Sequence, residues 1–123
     1  MFSCVPWEVE GTDVFTEWFT GLTDNEQISV GRIVDLLVEQ GAQLPFPYSS
    51  GVQRSRHRHM RELRIQHDGR PYRVLYAFDP RRAAILLLGG DKTGNDRWYD
   101  ENVPKADKLY DGYLQDLTEE GLI

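Results

Sequence analysis

At 123 residues the chain is the size of one domain, able to bury a core without metal or disulfide support, and a single domain over 1–123 is expected. Cys4 is the lone cysteine, which excludes a disulfide framework. The longest apolar run, residues 83–88, excludes a bilayer-spanning helix, and residues 1–7 carry no basic or apolar leader pattern, so a cytoplasmic protein without membrane contact is expected. The net charge of −6 argues against a protein that coats nucleic acid over its whole surface, but the charge is segregated: residues 1–53 carry −7, 54–73 carry +5, 74–97 carry +1 and 98–123 carry −5.

In chain order, residues 4–9 alternate well enough for a short strand, with Pro6 directing it to a sheet edge. Thr12 is placed to cap a helix running to Gly21, whose Val14, Phe15, Trp18, Phe19 and Leu22 share one face. Thr23 and Glu26 fit a capping box for a second helix with an apolar stripe of Ile28, Ile33, Val34, Leu37 and Val38, ending at Gly41. Residues 42–56, rich in proline, serine and glycine, read as a loop. Period-two patterns then predict three strands, over 60–67, 71–78 and 83–89, joined by Asp68-Gly69 and by residues 79–82 as an antiparallel meander. A final helix is predicted over 96–117, packing through Trp98, Val103, Leu109, Tyr113, Leu114 and Leu117, with Pro104 marking a break or a new start. The class is α+β.

A two-residue Asp68-Gly69 turn fixes a register that pairs His67 with Arg70, Gln66 with Pro71, Ile65 with Tyr72, Arg64 with Arg73 and Leu63 with Val74. Leu63, Ile65, Tyr72, Val74, Tyr76 and Phe78 then face the helix stripes, while Glu62, Arg64, Gln66, Arg73, Leu75 and Ala77 face away. Two arginines opposed across a strand pair repel each other, an arrangement suited to an anion. The structural alternative is that Glu62 or a C-terminal acid neutralises the pair. A second two-residue turn, Pro80-Arg81, sets Arg73 opposite Leu88 and leaves Lys92 just past the third strand. Gly89, Gly90 and Gly94 lack any phosphate-loop spacing and are read as serving a tight strand-to-helix turn.

Metal-free RNA cleavage requires a base for the 2′-hydroxyl, cations on the phosphate and an acid for the leaving 5′-oxygen. Arg64 and Arg73 fit the phosphate clamp, with Arg61 and Lys92 as neighbours that add charge or move a proton. Arg54, Arg56, His57, Arg58 and His59 read as a mobile basic arm along an RNA backbone. The two histidines lack a third ligand, so a metal site is not expected. Tyr99 is the one aromatic retained for base stacking.

The order strand, helix, helix, meander, helix, together with residues 60–65 (MRELRI), 72–76 (YRVLY), 87–93 (LLGGDKT) and 103–107 (VPKAD), resembles the RelE/HigB toxin superfamily, in particular its phage-derived HigB-like branch. The resemblance spans nearly the whole chain. It implies the toxin of a type II toxin–antitoxin pair: a ribosome-dependent, cofactor-free mRNA endonuclease that directs the 2′-hydroxyl at the phosphate. It further implies a helix-turn-helix antitoxin as partner, with operator DNA met only through that antitoxin. Carried over by motif, Arg64, Arg73 and Lys92 are the catalytic candidates, with Arg61 beside them. Superfamily members are typically basic, so the acidity of this chain confines RNA contact to the cationic block. Two other readings of the patch are a non-catalytic RNA- or antitoxin-binding module and a docking surface for an acidic antitoxin segment.

Overall fold

The computed structural model describes residues 6–123. β1 spans Val9–Gly11, later than the strand predicted over 4–9, of which residues 4 and 5 lie outside the described residues. Proline has no amide to donate, and the Trp7 amide is drawn away from the sheet to the Val38 carbonyl at 2.9 Å, so pairing starts only at Val9.

α1 (Asp13–Thr20) starts where the Thr12 hydroxyl accepts from the Phe15 amide at 3.1 Å. α2 (Asp24–Gln40) starts on the predicted capping box, in which Glu26 accepts from the Thr23 amide and the Thr23 hydroxyl from the Glu26 amide. A single 3-10 turn, Gly41–Gln43, closes α2. The 42–56 segment is not all loop: β2 (Ser49–Gly51) pairs antiparallel with β3. Its three small residues carry no alternating pattern, and only the partner strand makes it a strand.

β3 (Arg61–His67), β4 (Arg70–Phe78) and β5 (Ala84–Asp91) form the meander. Asp68 and Gly69 take φ of 49° and 76°, the left-handed pair that a tight hairpin needs, and every β3–β4 pairing expected from the turn is present. β5 departs from expectation. Its turn runs through Asp79 to Ala83, with Arg82 at φ 70°, and a bulge follows between Leu75 and Tyr76, so Arg73 faces Gly90 rather than Leu88. The five strands lie in the order β1-β5-β4-β3-β2, with β1 parallel to β5.

Helices cover both faces of the sheet. α1 and α2 pack on Leu63, Ile65, Tyr72, Val74 and Tyr76, the face assigned to them. α3 (Trp98–Glu119) packs on Leu75, Ala77, Ile85 and Leu87 of the other face through Trp98, Val103, Ala106 and Tyr110. α3 continues through Pro104 without a break, because packing on the sheet outweighs one lost helical bond and Pro104 itself is exposed.

Gly89 and Gly90 are strand residues, not turn residues. A Cβ at Gly89 would stand 2.4 Å from the Trp18 ring, and one at Gly90 2.7 Å from Trp98 Nε1. Each glycine admits an indole from one helical layer against bare β5 backbone.

Candidate functional site

Three elements build the site on the sheet face beneath α3. β3 presents Glu62 and Arg64 two residues apart on one side, β4 presents Arg73 directly opposite Arg64, and the first turn of α3 lays Tyr99 across them. Period two dictates that Glu62 and Arg64 point the same way, and the Asp68-Gly69 turn dictates that Arg73 meets them.

Glu62 is the centre of this cluster. Its Oε1 accepts from the Tyr99 hydroxyl at 2.6 Å and lies 3.5 Å from Arg73 Nε. Its Oε2 accepts from the Ser50 hydroxyl at 2.6 Å and from Arg64 Nη1 at 3.2 Å. The Glu62 and Arg73 side chains are only 6% and 4% exposed, against 29% for Arg64. Arg73 also donates to the Tyr72 carbonyl and to the Tyr99 hydroxyl. The repulsion between the opposed arginines is thus offset by a buried carboxylate set between them, the compensation a buried charge requires. Burial, then the hydrogen bond to Glu62, push the Tyr99 phenol above its ordinary pKa, so it stays protonated and donating.

Lys92 stands at the edge of the same cluster. Its amide donates to the Pro71 carbonyl and its ammonium lies 5.6 Å from the centre of the Tyr99 ring. A cleft of about 370 Å³ lined by Gly51, Val52, Gln53, Arg54, Asp96 and Asp100 opens onto Glu62 and Tyr99. The structure therefore brings Arg64, Arg73, Lys92 and Tyr99 together, with Tyr99 bonded to Glu62.

Other predicted residues fall elsewhere. Arg61, one position from Glu62, is on the opposite face, where its Nε donates to the Ser49 hydroxyl at 3.0 Å. The basic arm is docked rather than mobile. Arg54 pairs with Asp100, Arg56 pairs with Asp111, and His57 Nε2 lies 2.7 Å from Asp111. The Ser55 hydroxyl and the Arg56 amide both donate to the buried Asp107 carboxylate. Arg56, then His57, hold the Asp111 carboxyl below its ordinary pKa. Among the predicted residues of this arm, Arg58 and His59 alone have no ion pair, and both are exposed.

In the sequence Glu62 is legible only as a neutraliser of the arginine pair, and Ser50 is not legible as part of the site. The shared face of Glu62 and Arg64 was the available signal. Nothing in the local pattern of the helix announced that Tyr99 would lie on Glu62.

Chemically, the cluster combines a carboxylate able to accept a proton, two guanidinium groups able to grip phosphate oxygens, and a phenol and an ammonium able to give a proton back. Among the described residues no group of three or more His, Cys, Asp or Glu could hold a metal ion, and no helix is long and apolar enough to cross a membrane.

Comparison with known proteins accords with this architecture. Residues 17–111 match the family described as phage-derived protein Gp49-like. The chain is 46% identical over 98 residues to "Putative toxin HigB3" of Mycobacterium tuberculosis, covering 79% of this chain and 84% of the relative. It is 39% identical over 99 residues to "Putative toxin HigB2" of the same organism, of whose length it spans 49%. A chain of the crystal structure of the toxin–antitoxin complex RelBE2 from Mycobacterium tuberculosis shares the fold, with a TM-score of 0.50 at 18% identity over 72% of this chain and 94% of that one. With most of its length inside the family match and a near-full-length relative at this identity, the chain belongs to the phage-derived Gp49-like family, whose relatives here are named as HigB toxins.

Proposed function

We propose that this protein is the toxin of a toxin–antitoxin pair and that it cleaves mRNA on the ribosome at the Glu62 cluster. The observation that carries the reading is the buried Glu62 carboxylate, gripped between Arg64 and Arg73 and covered by Tyr99. In the reaction Glu62 takes the 2′-hydroxyl proton and the 2′-oxygen attacks phosphorus. The bond from phosphorus to the 5′-oxygen breaks, and Tyr99 or Lys92 returns a proton to that oxygen. The products are a 2′,3′-cyclic phosphate and a 5′-hydroxyl end. Arg64 and Arg73 turn toward the phosphate as charge builds on it.

The required motion is small. Arg64 is partly exposed and rests on the Phe46 ring at 5.3 Å, so its guanidinium can turn outward while its stem stays packed. Tyr99 lies in the first turn of α3 and lines the open cleft, where the phosphate enters. Lys92 adds positive charge at the rim.

A second reading, a module that binds RNA or antitoxin without cutting, is favoured by one feature: every Arg73 contact is already satisfied internally. Inducible expression without the neighbouring gene, followed by mapping of mRNA 5′ ends, separates the two. The enzyme reading expects growth arrest with new 5′-hydroxyl ends, both reduced about 10²–10⁴-fold by Glu62→Gln and by Arg73→Gln in folded protein, the ordinary loss for a proton-transfer or charge-stabilising group. Arrest that persists undiminished in both variants, or arrest without new ends, overturns it.

A further inference from the structure

At the far end of the hairpin from the Asp68-Gly69 turn lies a second cavity, of about 580 Å³, within the range of pockets that hold small ligands. It is lined by Arg58, His59, Arg61 and Arg82, with Trp7, Phe78 and Tyr110 as aromatic walls. Its charge is unusual for this molecule. Arg54, Arg56, Arg64, Arg70, Arg73 and Arg81 all have acidic partners. Among the described residues the arginines without one are Arg32, Arg58, Arg61, Arg82 and Arg97, and three of these five line this cavity. The acid in the wall, Asp79, is already engaged by the Arg81 guanidinium and by the Arg81 and Ala83 amides. Three guanidinium groups therefore face the cavity with no counter-charge of their own.

The aromatic wall is fixed. Trp7 packs edge-on to Phe78 at 5.4 Å and lies so close to Gly41 that a Cβ there would stand 2.0 Å from its ring. The Arg82 guanidinium sits over the same indole at 5.1 Å. A cation on an aromatic plate next to two further arginines matches a phosphate with a planar base attached: the phosphate meets the fork of an arginine, and the base stacks on a guanidinium or ring. An acidic peptide would use the cations but not the plate.

Gly51 and Val52 line both this cavity and the cleft onto Glu62, so the two are separated only by the end of β2. We propose that the Arg58, Arg61, Arg82 and Trp7 cavity is a nucleotide subsite that holds a base and phosphate of single-stranded RNA flanking the bond presented to Glu62. This inference rests on the RNA reading of the Glu62 cluster.

Its test is binding of a fluorescein-labelled, uncleavable 2′-O-methyl hexaribonucleotide to the full chain, followed by anisotropy, with hexaglutamate as a competing probe. Arg58→Gln and Arg82→Asn are exposed changes, and asparagine tolerates the left-handed backbone of position 82. Near-UV circular dichroism unchanged from the parent verifies the fold. The double variant is expected to bind the oligonucleotide at least 10-fold more weakly, with the salt dependence of log K reduced by about 1.4, as for two lost phosphate contacts to a single strand. The single Arg58→Gln variant should fall between. Unchanged affinity in the folded double variant overturns the proposal, as does a loss confined to hexaglutamate. Failure of the subsite is distinguishable from failure of the cleavage reading: if Glu62→Gln and Arg73→Gln both still arrest growth while the double variant loses RNA, the subsite stands alone. If Glu62→Gln abolishes arrest and the double variant binds normally, only the subsite falls.

Discussion

Tyr72 joins the core to the surface. Its ring is 1% exposed beneath α1 and α2, while its hydroxyl donates to the Glu26 carboxylate of the α2 capping box. That hydrogen bond, followed by those from Thr23, lowers the Glu26 pKa from an ordinary 4.5 to about 2, and burial raises the Tyr72 phenol to about 12. Because the folded-state carboxyl pKa is depressed, its contribution to stability is complete above about pH 4.5 and fades as pH falls toward about 2. The phenol acts at the other limb, where its contribution is complete below about pH 10 and fades as pH rises toward about 12. Tyr72→Phe is expected to make the melting temperature less sensitive to pH between 4.5 and 2, as read by thermal scans across that window; an unaltered acid limb refutes the assignment. At this scale the sequence was informative about partners within one strand pair. The opposition of Arg64 and Arg73 follows from counting out of a two-residue turn. That Glu62 would accept from three side chains and pair with Arg73 does not, because Ser50 and Tyr99 reach it from elements whose positions no local pattern encodes.

Among the elements, β5 shows how packing overrides a local reading. Two adjacent glycines after an apolar run resemble a turn, yet here they let Trp18 and Trp98 approach one strand from opposite sides. Gly89→Ala is expected to destabilise the fold by about 1–3 kcal/mol, the ordinary cost of overpacking a filled core, since the indole meets backbone it cannot pass; urea denaturation measures it. A wild-type midpoint would show that Trp18 has room to retreat. The longer turn and the bulge, which together move the partner of Arg73 from Leu88 to Gly90 by one residue each, were equally hidden, because strand length and alternation carry no mark of an extra residue. The docking of residues 54–57 on α3 depends on Asp107, which is 4% exposed and accepts from Ser55 and Arg56. Asp107→Ala strands both donors and is expected to cost about 1–3 kcal/mol, with faster amide exchange confined to the 54–57 segment and the middle of α3. Uniform exchange throughout the chain would argue that the loop is not held there. The first two helices, by contrast, were legible to the residue at their starts, because threonine caps act within one turn, whereas the last, which has no side-chain cap, starts at Trp98 and not at 96.

For the whole molecule, the charge pattern means less than its arithmetic suggested. Five of the seven arginines in the +5 block are matched by acids of the same chain, so the surface field of the block is far weaker than its composition. Only newly neutralised phosphates release counterions. Binding of a short single-stranded RNA is therefore expected to show a slope of log K against log salt of about −2 to −3, carried by Arg58, Arg61, Arg82 and Lys92. A slope near −5, the value if all seven arginines met phosphates, would mean that the internal ion pairs open on binding. The three-layer arrangement itself was only half visible: the two-helix layer follows from its apolar stripes, whereas the last helix could have framed the sheet or covered it. The sheet ends on each side in a strand of three residues, Val9–Gly11 and Ser49–Gly51. Among the described residues, then, neither margin offers another copy a long row of free amides and carbonyls on which to extend the sheet, and the folded chain is guarded against the edge-to-edge stacking that drives β-rich proteins out of solution.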